Sequence, residues 1–132
     1  MQVEAELTVT EGLQNGAQPI AITESTVQLL AHSTPARRVV ASLRAAFGTL
    51  HGGATCTIID VAGTLALLSL DTARPGVSVE LNSSFVAAAK AGEKIRIVAS
   101  VLKTGKRLGF THVDIYGADD RLCATGRHTK AL

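Results

Sequence analysis

The longest apolar run of the chain lies between Ala54 and Leu70. Ile58, Ile59, Val61, Ala62, Leu65, Ala66, Leu67 and Leu68 leave only a thin polar stripe of Thr57, Asp60 and Thr64. A helix this apolar on nearly every side belongs in a core. Its seventeen residues span about 25 Å at the helical rise, the width of a small domain. Beyond Leu70 the period changes to two. Val77, Val79, Leu81, Ser83 and Phe85 alternate with Ser78, Glu80, Asn82 and Ser84, which predicts a half-buried strand. Ile95, Ile97, Ala99 and Val101 mark a second over 94–102, and 108–116 and 121–129 read as two more. Ala73-Arg74-Pro75-Gly76, Ala91-Gly92-Glu93, Thr104-Gly105-Lys106 and Gly117-Ala118-Asp119-Asp120 supply the breaks between them. Ahead of the helix, 26–31 and 38–44 read as a hairpin turning at Ser33-Thr34-Pro35-Ala36. Residues 12–19 read as a loop, and the first 24 residues suit either a strand or a short helix.

Two strands, one long helix and four strands, with no repeat or linker among them, predict a single domain over 1–132. The class is α+β: a curved antiparallel sheet of about six strands wrapped around one central helix, the arrangement called a hotdog. At 132 residues such a domain is near the size where oligomerisation commonly adds to the core.

Composition narrows the function. The net charge of +2 and the absence of any basic run interleaved with aromatics set nucleic acid aside. With no Trp, one Tyr and three Phe, the core is expected to be aliphatic. Cys56 and Cys123 are too far apart in sequence to suggest a disulfide framework, which fits a reducing compartment. Glu4 and Glu6 near the start fit neither an export signal nor a transit peptide, so a cytoplasmic location is expected, with the mitochondrial matrix as the alternative. The central helix, read as short of a span and carrying an acid, is not expected to cross a membrane. His32, His51, His112 and His128 show no metal-ligand spacing, so no metal is expected. Asn82-Ser83-Ser84 matches a glycosylation acceptor but lies inside a predicted strand, and is expected to be unmodified.

Asp60 is the first candidate for chemistry. A carboxylate in apolar surroundings costs several kcal/mol unless paired or protonated. Either it belongs to the one solvated stripe of the helix, or it is placed there for a reaction. Gly52 and Gly53 open the helix, where the first amides have no intrahelical partner. They read as an ordinary tight turn or as donors to an oxyanion. His51, just before them, is a donor, an acid or a turn residue. Cys56, near the same terminus, reads as a small core residue or as an activated thiol. Lys103, Lys106 and Arg107 around Gly105 form a cationic turn suited to phosphates, or a solvated hairpin tip.

Gly48-Thr49-Leu50-His51-Gly52-Gly53 with Asp60, then Arg74-Pro75-Gly76-Val77-Ser78-Val79, then Gly126-Arg127-His128-Thr129-Lys130 resembles the PaaI-like acyl-coenzyme A thioesterases over roughly 39–132. The resemblance implies hydrolysis of a fatty or aromatic acyl-coenzyme A by a homodimer or homotetramer, with sites between subunits. Catalysis would then fall to Asp60, which activates water or attacks directly, to the Gly52 amide on the thioester carbonyl, to His51 near the sulfur and to Ser78 on the water. Glu80, Phe85, Lys90, Lys103, Gly105, Lys106, Arg107 and Leu108 would bind the substrate, and Leu65, Leu68 and Phe85 would line a groove for the acyl chain. No cofactor is implied, coenzyme A entering only as part of the substrate. One position departs from the family: an Asn six residues before the His commonly shares the carbonyl oxygen, and Ala45 stands there. Loss of one such donor costs about a hundredfold or more in rate. Two rivals follow, a hotdog hydratase or dehydratase and a non-catalytic hotdog that binds acyl thioesters or serves as a structural dimer.

Overall fold

The computed structural model describes residues 5–11, 48–90 and 94–132, the first of these as backbone only. The expected hairpin over 26–31 and 38–44, and Ala45, lie outside the described residues. The elements are β1 (Ala5–Glu11), α1 (Gly52–Leu70), β2 (Val77–Phe85), β3 (Ile95–Thr104), β4 (Leu108–Tyr116) and β5 (Leu122–Ala131). All five strands join one sheet in the order β1-β3-β4-β5-β2. The four strands after the helix pair antiparallel, as their alternation predicts. To these β1 adds a parallel edge, running from Ala5 opposite Ile95 to Glu11 opposite Val101.

One face of α1 lies on this sheet. Ala54, Thr55, Ile59, Ala62, Gly63, Ala66 and Leu67 are buried at the three-and-four spacing of a helical stripe. Against them the sheet sets Ile95, Ile97 and Ala99 of β3, Val113 and Ile115 of β4, and Cys123 and Ala124 of β5. The core is aliphatic, as the composition predicts. The helix is less enclosed than an all-round apolar pattern suggests, because Ile58, Val61, Leu65 and Leu68 stay only half-buried. It is also longer than expected: at 19 residues it is long and apolar enough to cross a membrane, although Ile59 and Ala66 are fully buried against the sheet.

β2 departs from its expected burial. It has the predicted bounds, yet Val77, Val79, Leu81 and Phe85 are exposed. The reason is its position at the sheet's edge, where one side of the strand has no neighbour among the described residues.

Ile59, fully buried at the centre of the helix-sheet contact, is expected to carry a large share of the stability. Ile59→Ala should destabilise by about 2–5 kcal/mol through lost transfer energy and a residual cavity. Urea titration checks this: the midpoint should fall with an unchanged m-value.

Candidate active site

His51 closes the first turn of α1. It is the N-cap, and its Nδ1 accepts the Gly53 amide proton at 3.0 Å. The ring proton therefore sits on Nε2, which the exposed side chain turns to solvent. Gly52 leaves the helix start open. A Cβ there would stand 3.4 Å from the Phe85 ring, which places Phe85 over the helix start. Beside them is a cavity of about 470 Å³, lined by Gly52, Thr55, Phe85, Ala89, Ile115 and Cys123 among others.

Two turns on, Asp60 belongs to a polar cluster. Its Oδ1 accepts the Ser78 hydroxyl at 2.9 Å, and His128 Nε2 lies 3.1 Å from the same oxygen and 2.8 Å from Ser78 Oγ. Both contacts fall on Oδ1, and the side chain is 46% exposed. So Asp60 is not the dry, unpaired acid that the apolar run suggests; two donors hold it while one side meets solvent. Thr57 and Thr64 bond back to the carbonyls of Gly53 and Asp60, as polar residues on an apolar helix commonly do.

A β-bulge brings Ser78 to this cluster. Leu81 faces His128 across the strands, and strict alternation from Leu81 would turn Ser78 to the outer face. Between Ser78 and Glu80 the register slips at Val79, and Ser78 falls opposite Lys130, on the side of the helix.

His128 is fully buried, and its Nδ1 has no hydrogen-bond partner among the described residues. That nitrogen faces Gly63, where a Cβ would stand only 2.8 Å away. An orphaned acceptor is cheaper than an orphaned N–H, so the ring is neutral with its proton on Nε2, directed at Ser78 and Asp60. The short contact to Asp60 would by itself favour the imidazolium. Burial outweighs it and, helped by the nearby Lys130, holds the imidazole below its ordinary protonation range. Lys130 is buried too, its Nζ donating to Thr64 Oγ1 at 2.9 Å.

The sequence signature of the Thioesterase superfamily matches residues 47–124, more than half of the chain. The chain belongs to that superfamily. Human acyl-coenzyme A thioesterase 13 is 52% identical over 88 residues, 66% of this chain and 63% of that protein. The chain thus spans under two thirds of that relative. The crystal structure of zebra fish thioesterase superfamily member 2 superposes with a TM-score of 0.71 at 35% identity, covering 85% of this chain and 99% of that one. Thioesterase superfamily member 2 from Mus musculus gives 0.64 at 44% identity, over 69% and 72% respectively. The fold is therefore the superfamily's hotdog.

In that fold the candidate residues separate into groups. Asp60 and Ser78 meet directly, and Gly52, His51 and Phe85 gather at the helix start. Lys90 lies beside them, bridged to Thr49. Glu80 is on the other side of β2, its oxygens taken by Asn82 Nδ2 and Thr129 Oγ1 at 2.8 and 2.9 Å. Lys103, Gly105, Lys106, Arg107 and Leu108 are exposed in the β3–β4 turn, near the far end of α1. Leu65 and Leu68, expected to line the acyl groove with Phe85, do not border the cavity; Leu50, Ala89 and Ile115 do. Periodicity missed His128, which sequence reading treated only as an isolated histidine and as part of a terminal motif. The alternation of β5 contained the signal, since Ala124, Gly126, His128 and Lys130 are buried on one face.

Two outcomes follow. The unfolded imidazole protonates at its ordinary value while the buried one protonates lower, so the unfolded chain binds more protons as pH falls and His128 weakens the fold on the acid side. Between about pH 7.5 and about pH 5.5, stability of the wild type should therefore fall more than that of His128→Asn, as read by urea midpoints. Gly63→Ala, which drives a methyl against Thr111 Oγ1 at 2.6 Å and His128 Nδ1 at 2.8 Å, should cost about 1–3 kcal/mol and displace the imidazole. Thermal melts and the histidine's NMR signals report the two effects separately.

Proposed function

We propose that the protein hydrolyses acyl-coenzyme A thioesters, fatty or aromatic, and does so as a dimer whose sites each draw on two chains. The observation that carries this is the Asp60 cluster: a carboxylate whose Oδ1 is held by Ser78 and a neutral His128 while its side chain stays open to solvent. Such an acid is oriented to take a proton from water.

The need for two chains comes from the helix. Gly52 and Asp60 are eight residues apart on α1, about 12 Å along its axis. One carbonyl carbon cannot meet both in a single chain. Phe85 and Lys90 at one end of α1, and the 103–108 turn near the other, are further apart still. A twofold axis that pairs β2 with β2 across the open edge would set the helix start of one copy against the middle of the other. It would also cover Val77 and Val79, now 71% and 57% exposed.

In this arrangement the thioester oxygen accepts the Gly52 N–H, and negative charge developing there is stabilised by the helix terminus. Water held by Asp60 and Ser78 of a second copy attacks the carbonyl carbon as Asp60 accepts its proton. The tetrahedral intermediate then collapses to the carboxylic acid as the C–S bond breaks, and the proton that Asp60 took from water passes on to the departing thiolate, whose sulfur can accept a hydrogen bond from His51 Nε2–H. The chain's similarity to human acyl-coenzyme A thioesterase 13 supports the choice of substrate class.

Thiol release from a panel of short, long and aromatic acyl-coenzyme A esters tests the reading. Asp60→Asn should lower kcat/KM by about a hundredfold or more while the variant keeps its melting temperature. Coenzyme A bound without turnover by the wild type would instead establish the non-catalytic rival that Ala45 suggests. For assembly, Val79→Asp should shift the sedimenting species to the monomer; an unchanged sedimentation coefficient would place the dimer contact elsewhere.

A further inference from the structure

The Arg74 side chain ties the far end of α1 to the β3–β4 turn. Asp71 ends the helix, its amide bonded to the Leu67 carbonyl. Its Oδ2 accepts Arg74 Nε at 2.6 Å and its Oδ1 accepts the Ala73 amide. These donors, Arg74 foremost, hold the Asp71 carboxyl below the usual carboxylate range. The same guanidinium reaches across to the turn, where Nη1 lies 3.4 Å from the Gly105 carbonyl and 3.3 Å from that of Lys106. Leu132 completes the anchorage, donating its amide to the Arg107 carbonyl at 2.9 Å. Three successive carbonyls of the turn are thus directed at donors in the body of the protein. The negative ends of those peptide dipoles point inward, and Lys103, Lys106 and Arg107 stand exposed around them.

We propose that Arg74 is a positioning residue for the nucleotide phosphates of coenzyme A. Held by Asp71, it fixes the turn from behind so that Lys103, Lys106 and Arg107 present one preformed cationic surface. The inference rests on the acyl-coenzyme A reading above and adds the device that orders the turn. Binding polyphosphate on a loose turn requires the turn to be ordered first, and preorganisation lowers that cost. Arginine suits the task because its planar fork meets a carboxylate on one edge and carbonyls on another, which a lysine ammonium does not reproduce.

The test compares coenzyme A with pantetheine, which lacks the nucleotide phosphates, by titration calorimetry on the wild type, Arg74→Ala and Asp71→Asn. Coenzyme A affinity should fall about fivefold to tenfold in both variants, with pantetheine affinity unchanged. On esters, the loss should appear in KM for acyl-coenzyme A rather than in kcat, and not at all in KM for the acyl-pantetheine. Asp71→Asn separates positioning from direct contact. If Arg74 gripped a phosphate itself, removing the neighbouring carboxylate would tighten coenzyme A, and that result overturns the proposal. So does an unchanged affinity in Arg74→Ala, or an equal loss for pantetheine. A wild type that binds coenzyme A but turns over no ester would sink the hydrolase reading and leave the calorimetry to decide the role of Arg74. A wild type that binds no coenzyme A refutes both.

Discussion

The structure depends on how closely α1 approaches the sheet. At the crossing a side chain is missing on each surface. A Cβ on Gly63 would stand 2.6 Å from Thr111 Oγ1, and one on Gly126 would stand 2.9 Å from Ile59 Cδ1 and 2.5 Å from the Asn82 carbonyl. Ile59 and Ala62 fill the remaining space and are almost fully buried. This close packing, more than any single polar contact, sets the distance between Asp60 and the strands that hold Ser78 and His128. A wider crossing with larger residues would bury as much apolar surface and still leave the carboxylate beyond hydrogen-bond reach of its partners.

Within that frame the polar groups form a short, ordered set. Lys130 donates to Thr64, Thr64 donates to the Asp60 carbonyl, and the Asp60 carboxylate receives Ser78 and His128. At the edge of an aliphatic core such contacts are strong when complete and costly when broken. Among the described residues, one buried atom of this set is left unpaired, His128 Nδ1, and it is the atom whose neutrality the rest requires. Burial accomplishes what a second acceptor would undo: it keeps the imidazole uncharged, so that it supports Asp60 as a hydrogen-bond donor without neutralising it as a cation.

Much of this was legible in the residues. Helix period against strand period placed α1 and the four strands after it to within about two residues, the usual ambiguity of element ends. The Gly-Gly start, Asp60 and Ser78 were visible as candidates because the matched motifs are local. Two features were not legible from periodicity. The bulge at Val79 reverses the faces of β2, and period-two reading has no term for an inserted residue. The exposure of β2 reflects its place at an edge, which depends on sheet order and not on the strand's own sequence. His128 lies between these cases: the alternation of β5 points it inward, but only the register with β2 and the nearness of α1 reveal what it meets.

The contact between Gly63 and His128 has an evolutionary consequence. The two residues are 65 positions apart on different elements, yet the imidazole occupies the space that a side chain on the helix would need. The glycine cannot drift while the histidine stays. A lineage that replaces the glycine must first accept a smaller residue on the strand, and one that keeps the histidine is bound to the glycine. A side chain at position 63 should therefore appear only where position 128 is smaller and Thr111 has also given way, a signature of shared space that no reading of any one segment by itself would disclose.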